Sequence, residues 1–428
     1  MRIALLTAGT RGDHQPYLAL ADEFRARGHQ VELTATENYA DVVRRAGFEP
    51  HVIPFNSAEL LESPAAKRGL ASGNPLPFLQ IMLDTVKIMT GERGDQMHEV
   101  LAGACEGADV IISCASTLPW AMERREKTGQ RVIGGLPYPL ERTADFPSSF
   151  TVKTMLSSRR LRLLSYTAFE LAYGIAYRKM DRRVRELMGL PGAPRNPFRR
   201  IREDEIPLVH MVSPVLLPKP ADWPERSTVV GAPIMPEAQR GAWGEAEVDP
   251  ALDDWLDAGE APVYFCLTGM PILDPVGSLD LIDGVCRRLG VRALVTVKGE
   301  GYPLGTGHDG RMHVLTSFDY DRVLSRCRAV VHHGGSGNTH DVLRAGLPAV
   351  VIGVHSDQFF YGWRISALGI GADFPYPSLT ADRLHDGLVK ALSPDAARRA
   401  ADLGRIVSAE NGVKAAVDAV ELLAAAPV

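Results

Sequence analysis

The chain opens on Ile3-Ala4-Leu5-Leu6-Thr7-Ala8-Gly9-Thr10-Arg11-Gly12-Asp13, an apolar run that breaks into a glycine-containing turn. A short run this continuously apolar reads as a strand covered on both faces. From Pro16 to Arg27 the residues Leu18, Leu20, Ala21 and Phe24 recur at helical spacing, and Gly28 relieves the left-handed position that ends the helix. Val31–Thr36 predicts a second strand, Tyr39–Ala46 a helix and Phe48–Ile53 a third strand. The rhythm returns at strand Asp109–Cys114, helix Leu118–Thr128 and strand Gln130–Gly134. Strands alternating with helices at this spacing predict a parallel sheet.

Farther along, Pro214, Pro218, Pro220, Pro224, Pro233 and Pro236 interrupt any regular element and read as a linker. A second α/β series follows. Its strands are Val263–Leu267, Ala293–Val297, Met312–Leu315, Ala329–His332 and Ala349–Ile352, with helices near Leu279–Leu289, Asn338–Ala345 and Tyr361–Leu368. Alanine-rich helices at Ala381–Ala391 and Asn411–Ala425 close the chain. The predicted organisation is an N-terminal domain over residues 1–215, a proline-rich linker over 216–245 and a C-terminal domain over 246–428. The last helix is free to pack back on the first domain.

Composition sets the outer limits. The chain has 428 residues, 45% of them hydrophobic and 23% charged, with 47 Lys+Arg against 52 Asp+Glu and a net charge of -5. This excludes disorder and a small disulfide scaffold, and it argues against nucleic acid, whose binding needs a basic footprint. Cys105, Cys114, Cys266, Cys286 and Cys327 form no CxxC pair and lie in apolar surroundings, which fits a reducing compartment. No leader and no membrane-spanning run is read, so the expected location is cytoplasmic. One helical stretch, residues 157–188, is strongly basic. It reads either as the solvated face of a core helix or as an amphipathic surface for anionic membrane or a greasy substrate.

The densest chemical signal is Val331-His332-His333-Gly334-Gly335-Ser336-Gly337-Asn338-Thr339-His340, directly after an apolar strand and directly before a helix. Glycines there let backbone approach a ligand, and the free N–H groups of a helix start favour an anion such as phosphate. Ser336, Thr339 and His333 add side-chain donors. A structural turn with a cap needs only part of this set. The motif is neither GxGxxG nor a P-loop, and Asn338 stands where a nucleophile elbow needs glycine. The histidines lack metal-ligand spacing, and Asp319-Tyr320-Asp321 is too short a pattern to carry a metal.

Residues 331–346 together with Ser356-Asp357-Gln358-Phe359-Phe360-Tyr361-Gly362 closely resemble the donor-binding signature of family-one glycosyltransferases. The similarity is greatest to sterol glucosyltransferases and to bacterial enzymes that glycosylate antibiotics. Gly9-Thr10-Arg11-Gly12-Asp13-His14-Gln15-Pro16 resembles their N-terminal loop, and Ser213–Pro224 the segment that enters their linker. The resemblance implies the GT-B fold, two Rossmann-like parallel-sheet domains facing a central cleft. It places the acceptor mainly in the first domain and the nucleotide sugar mainly in the second. It further implies that His333 and Gly335, Ser336, Gly337, Asn338 and Thr339 hold the donor diphosphate. Asp357 and Gln358 would bond the sugar hydroxyls, Thr268 and Gly269 would cover the phosphates, and Phe318 and Asp319 would meet the nucleobase through their backbone.

The chemistry needs a base on the acceptor hydroxyl, and Asp13 is the candidate by motif match, its alternative being a cap on the following helix. His14 is the weaker base, because the matching family position is usually aliphatic. Arg11 would offset charge on the leaving diphosphate, so that neither metal nor cofactor is required. Asn338 in place of the usual Thr, His340-Asp341, and the bulk of Tyr361 and Trp363 depart from the family pattern and bear on which sugar is moved. The expected activity is inverting transfer of a hexose-type sugar from UDP or TDP to a hydroxyl of a hydrophobic natural product such as a polyketide or macrolide. The expected partners are the nucleotide sugar and that acceptor, with peripheral membrane contact through residues 157–188 as a further reading. The alternatives are a sterol or lipid glucosyltransferase, a nucleotide-sugar 2-epimerase on the same fold, and a non-catalytic auxiliary protein.

Overall fold

Ile3 and Leu5 face one side of the first strand and Ala4 and Leu6 the other, and all four are fully buried. The computed structural model, which describes residues 1–57, 64–72, 83–235, 240–241 and 250–426, shows why. Strand β1 (Arg2–Leu6) lies in the middle of a sheet with helices on both faces. The other strands are β2 (Gln30–Thr36), β3 (Pro50–Ile53), β4 (Val110–Ser113), β5 (Arg131–Leu136), β6 (Leu208–His210) and β7 (Ser227–Val229). All pair in parallel, in the order β3-β2-β1-β4-β5-β6-β7. A parallel sheet buried on both faces needs unbroken apolar strands, and the Val110-Ile111-Ile112 run supplies one.

The second sheet repeats the plan. It contains β8 (Val263–Cys266), β9 (Ala293–Thr296), β10 (Gly305–Gly307), β11 (Met312–Leu315), β12 (Ala329–His332), β13 (Ala349–Gly353) and β14 (Gly371–Pro375). Their order is β10-β11-β9-β8-β12-β13-β14, parallel throughout except for the edge strand β10. Val263 and Phe265 pack on helices Pro275–Leu289 and Ala381–Ala391, while Tyr264 and Cys266 turn to the opposite core. Two such parallel sheets, each with helices on both faces, are the pair of Rossmann-like domains of the GT-B fold.

Three expectations need revision. The first helix begins at Arg11 and runs to Ala26, not from Pro16, because Thr10 and Asp13 cap it reciprocally: Asp13 Oδ2 accepts from the Thr10 N–H at 2.8 Å. The stretch expected to be linker includes β7, since Ser227-Thr228-Val229 is β-branched enough to add an edge strand between flanking prolines. Residues 236–239 and 242–245 of that linker lie outside the described residues. The basic stretch is two helices, Arg159–Ala176 and Arg178–Met188, parted at Tyr177, whose ring stacks on Tyr173 with centroids 4.4 Å apart.

The domains touch along specific bonds. The Tyr361 hydroxyl donates to the Pro137 carbonyl, the Ser213 N–H donates to His340 Nε2 at 3.1 Å, and Phe146 packs on Phe360 at 5.1 Å. The last helix, Gly412–Ala425, lies against the first domain. Its Ala416, Val417 and Val420 join the core of Ile3, Leu5 and Tyr17, and Arg27 Nη1 reaches Asp418 at 2.6 Å.

Candidate functional site

Strand order locates the site before any side chain is considered. β1 has β2 on one side and β4 on the other, and β8 likewise sits between β9 and β12. At such switch points the loops leaving the carboxyl ends of adjacent strands diverge and open a crevice. The residues at these ends are Gly9–Asp13 after β1, Thr268 and Gly269 after β8, and His333–Thr339 after β12.

Asp13 is the third residue of its helix. Gly9, at φ +145°, keeps the turn clear, since a Cβ there would stand 2.3 Å from Asp13 Oδ2. Burial raises the Asp13 carboxyl to about 6, against bonds from the Thr10 N–H and hydroxyl that lower it. Asp357, the first residue of helix Asp357–Ala367 in the other domain, is raised to about 7, first by burial and then by the negative charge of Asp13, while His333 pulls it down. The charge of Asp13 thus reaches a carboxyl of the opposite domain, and an ionised Asp13 disfavours ionising Asp357. The Tyr138 phenol lies in the same field. Burial and the charges of Asp13 and Asp357 hold it well above its ordinary range, so it remains a donor.

His14, the weaker candidate base, is committed elsewhere. Its Nδ1 lies 2.9 Å from the Thr10 carbonyl, its Nε2 accepts the Thr36 N–H at 3.2 Å, and burial lowers its pKa to about 4. The ring is a neutral brace with no lone pair left for an acceptor. Arg11 lies along the same first turn, its Nε donating to Gln15 Oε1 at 3.1 Å.

In the second domain the glycines are there for His333. A Cβ at Gly269 (φ +83°) would stand 2.9 Å from His333 Cε1, and one at Gly335 would stand 2.5 Å from His333 Nε2. Gly334 (φ +87°) leaves no room either, with Val351 Cγ1 at 2.6 Å from a Cβ. Gly337 meets nothing within 4 Å and leaves the start of helix Ser336–Arg344 open. The first N–H groups of that helix have no carbonyl partner within it and point outward as anion donors.

Several side chains behave differently from expectation. Thr339 is fully buried and donates to the Gly335 carbonyl at 2.8 Å, so its hydroxyl serves the helix and not a donor diphosphate. Gln358 Oε1 accepts from the N–H groups of Val354 at 2.8 Å and His355 at 3.2 Å, bracing the loop that presents Asp357. Between them Ser356 adopts φ 53°, a left-handed conformation that costs a non-glycine residue about 1–3 kcal/mol. Ser336 Oγ lies 2.9 Å from the Tyr361 hydroxyl. Phe318 buries its ring between Tyr264 and Tyr320, leaving only backbone for a ligand. Asp319 caps its helix through the Arg322 N–H at 3.2 Å, and Asp321 is bound by Arg240 and Arg344. No group of His, Cys, Asp and Glu suited to a metal occurs among the described residues.

Sequence reasoning missed Cys266, which it read as a small hydrophobe. Its thiol meets Thr268 Oγ1 at 2.8 Å and the Asn338 amide at 3.3 Å. Burial pushes the thiol up, but His333, Thr268 and Tyr264 outweigh it and bring it down to about 6. Three residues expected to bind the donor thus converge on one sulfur. The only available signal was position, at the carboxyl end of β8.

Residues 3–118 match the glycosyltransferase family 28 N-terminal domain, and residues 315–411 match the erythromycin biosynthesis protein CIII-like C-terminal domain. An O-mycaminosyltylonolide 6-deoxyallosyltransferase of Streptomyces fradiae is 30% identical, covering 98% of this chain and 97% of that protein. The chain belongs to the family-one GT-B glycosyltransferases. It is a glycosyltransferase enzyme. A sterol 3-beta-glucosyltransferase of Arabidopsis thaliana is 27% identical over 98% of this chain and 67% of its own length. The crystal structure of the kitacinnamycin glycotransferase superimposes with a TM-score of 0.70 at 22% identity, covering 98% of each chain.

Proposed function

We propose that this glycosyltransferase moves a hexose-type sugar, with inversion, from a UDP- or TDP-linked donor to a hydroxyl of a hydrophobic natural product, without a metal. The observation that carries the reading is a pair of carboxyls from opposite domains, Asp13 and Asp357, both raised by burial, with Asp357 raised further by the charge of Asp13. Asp13, ionised, takes the proton of the acceptor hydroxyl as that oxygen attacks the anomeric carbon. Asp357, the more readily protonated of the two, is left to bond the sugar hydroxyls. The leaving diphosphate is received by the open start of helix Ser336–Arg344 and by His333, with Arg11 available from the opposite domain. Donors aimed at a leaving group in a dry cleft can supply the stabilisation a metal would otherwise give.

The antibiotic and sterol relatives support an acceptor that is largely apolar, and they leave a sterol or lipid glucosyltransferase as the second reading. A 2-epimerase would have no use for Asp13 and Tyr138 in an acceptor wall.

The test pairs UDP- and TDP-sugars with polycyclic and macrolide acceptors and determines the anomeric configuration of the product by NMR. Inversion is expected, with Asp13→Asn losing about 10²–10⁴-fold in turnover while still binding nucleotide. Retention of configuration, or a fully active Asp13→Asn variant, contradicts the mechanism.

A further inference from the structure

Leu161, Leu164, Leu171 and Ile175 are 50, 58, 65 and 71% exposed, and Met155 just ahead of them is 45% exposed. Their spacing of three, seven and four residues aligns them as one stripe along the outer side of helix Arg159–Ala176. The inner side is already satisfied. Ser165 and Tyr166 are buried, and Phe169 stacks on Phe150 with centroids 4.8 Å apart. A surface helix needs one apolar face, and this one has two.

The surroundings of the outer stripe are cationic. Arg159 and Arg160 precede it, Arg178, Lys179 and Arg182 follow it, and all five are exposed without a carboxylate partner among the described residues. Between residues 153 and 181 the acids are Glu170, bound to Arg202 at 2.7 Å, and Asp181, which is buried. The face is therefore uniformly positive on a chain whose net charge is -5. A second copy of the chain would bring these five cations against themselves, because a two-fold contact pairs each patch with its own image. An anionic surface with an apolar interior satisfies both properties.

The same helix leads inward to the reaction centre. Phe169 touches Phe150, and Phe150 lies 5.9 Å from Tyr138, the phenol coupled to Asp13 and Asp357. We infer that the outer face of Arg159–Ala176 and the basic start of the following helix rest on an anionic lipid surface, from which an apolar acceptor reaches the cleft along the Phe169–Phe150–Tyr138 wall. The docking stands on the helix face alone, whereas the acceptor route rests on the glycosyl-transfer reading above.

Co-flotation of the full chain with vesicles tests the docking without any turnover. Phosphatidylcholine vesicles are compared with phosphatidylcholine–phosphatidylglycerol vesicles at low and high salt. The chain is expected to float with the anionic vesicles only, and less as salt rises. Leu171→Glu with Ile175→Glu should abolish flotation, and Arg178→Glu with Lys179→Glu should weaken it about tenfold or more. The milder Ile175→Ser serves where the double variant is poorly soluble. Both pairs lie away from the cleft, so turnover on an acceptor dissolved in detergent should be unchanged. A chain that stays in the dense fraction with every vesicle, or flotation indifferent to these substitutions, overturns the proposal. A dimer in sedimentation that Leu171→Glu dissociates also overturns it and assigns the face to a second copy. A wild-type chain that floats with anionic vesicles yet transfers no sugar to any acceptor counts instead against the transfer reading and leaves the docking standing.

Discussion

Asp13 is the base of the proposed transfer, and its environment sets a pH limit on that role. Burial raises its carboxyl to about 6, and a base must be ionised to accept a proton. The kcat/KM of the free enzyme should therefore rise as pH increases through about 6 and fall away below it. A profile flat from pH 5 to 8 would remove Asp13 from the role. Gly269 carries a steric prediction of the same kind. Its φ of +83° and the 2.9 Å from its missing Cβ to His333 mean that Gly269→Ala must displace that ring. Nucleotide affinity should drop at least tenfold by calorimetry while the fold survives, and unchanged affinity would show that His333 does not depend on the clamp.

Among the elements, three helices of the first domain are tied by one buried charge cluster. Arg185 and Arg200 both bind Glu123, with exposures of 6, 3 and 6%, and Arg200 Nη1 reaches Glu123 Oε1 at 2.9 Å. Without the shared carboxylate Arg185 keeps Glu126, and Arg200 keeps Glu126 and Asp204. Glu123→Ala should therefore cost about 1.5–3 kcal/mol, the loss of buried charged hydrogen bonds, read as an earlier first-domain transition in urea. A loss under 1 kcal/mol would mean that water replaces the carboxylate. The strands at the centre of each sheet were legible in the sequence, because Val110-Ile111-Ile112 and Ala329-Val330-Val331 are apolar without interruption. β14 was not, since glycine and proline end it, and β10 is a glycine-containing edge. Helix starts were misplaced where caps act at a distance, as with Thr10 and Asp13. Motif matching named residues at the carboxyl ends of the strands but not their orientations. Thr339 turns inward and Gln358 braces its loop through bonds four residues back that compete with a ligand, and Cys266 meets Asn338 only because β8 and β12 are neighbours in the sheet.

At the level of the whole molecule, two sheets present their switch points to each other, and the chain crosses between domains twice. The last helix returns to the first domain through Ala416, Val417 and Val420, and Tyr361 and His340 bond Pro137 and Ser213 across the divide. The proposed transfer needs Asp13 of the first domain and the His333–Asn338 loop of the second on the two sides of that divide. Thermal unfolding with UDP, TDP and GDP, in the wild type and in His333→Ala, tests whether the loop from His333 to Asn338 receives a nucleoside diphosphate. A nucleotide present at about 100 times its Kd should stabilise the wild type by roughly 2.7 kcal/mol and leave His333→Ala almost unshifted. If no nucleotide moves the transition, or if His333→Ala is stabilised as much as the wild type, the assignment of this loop is wrong.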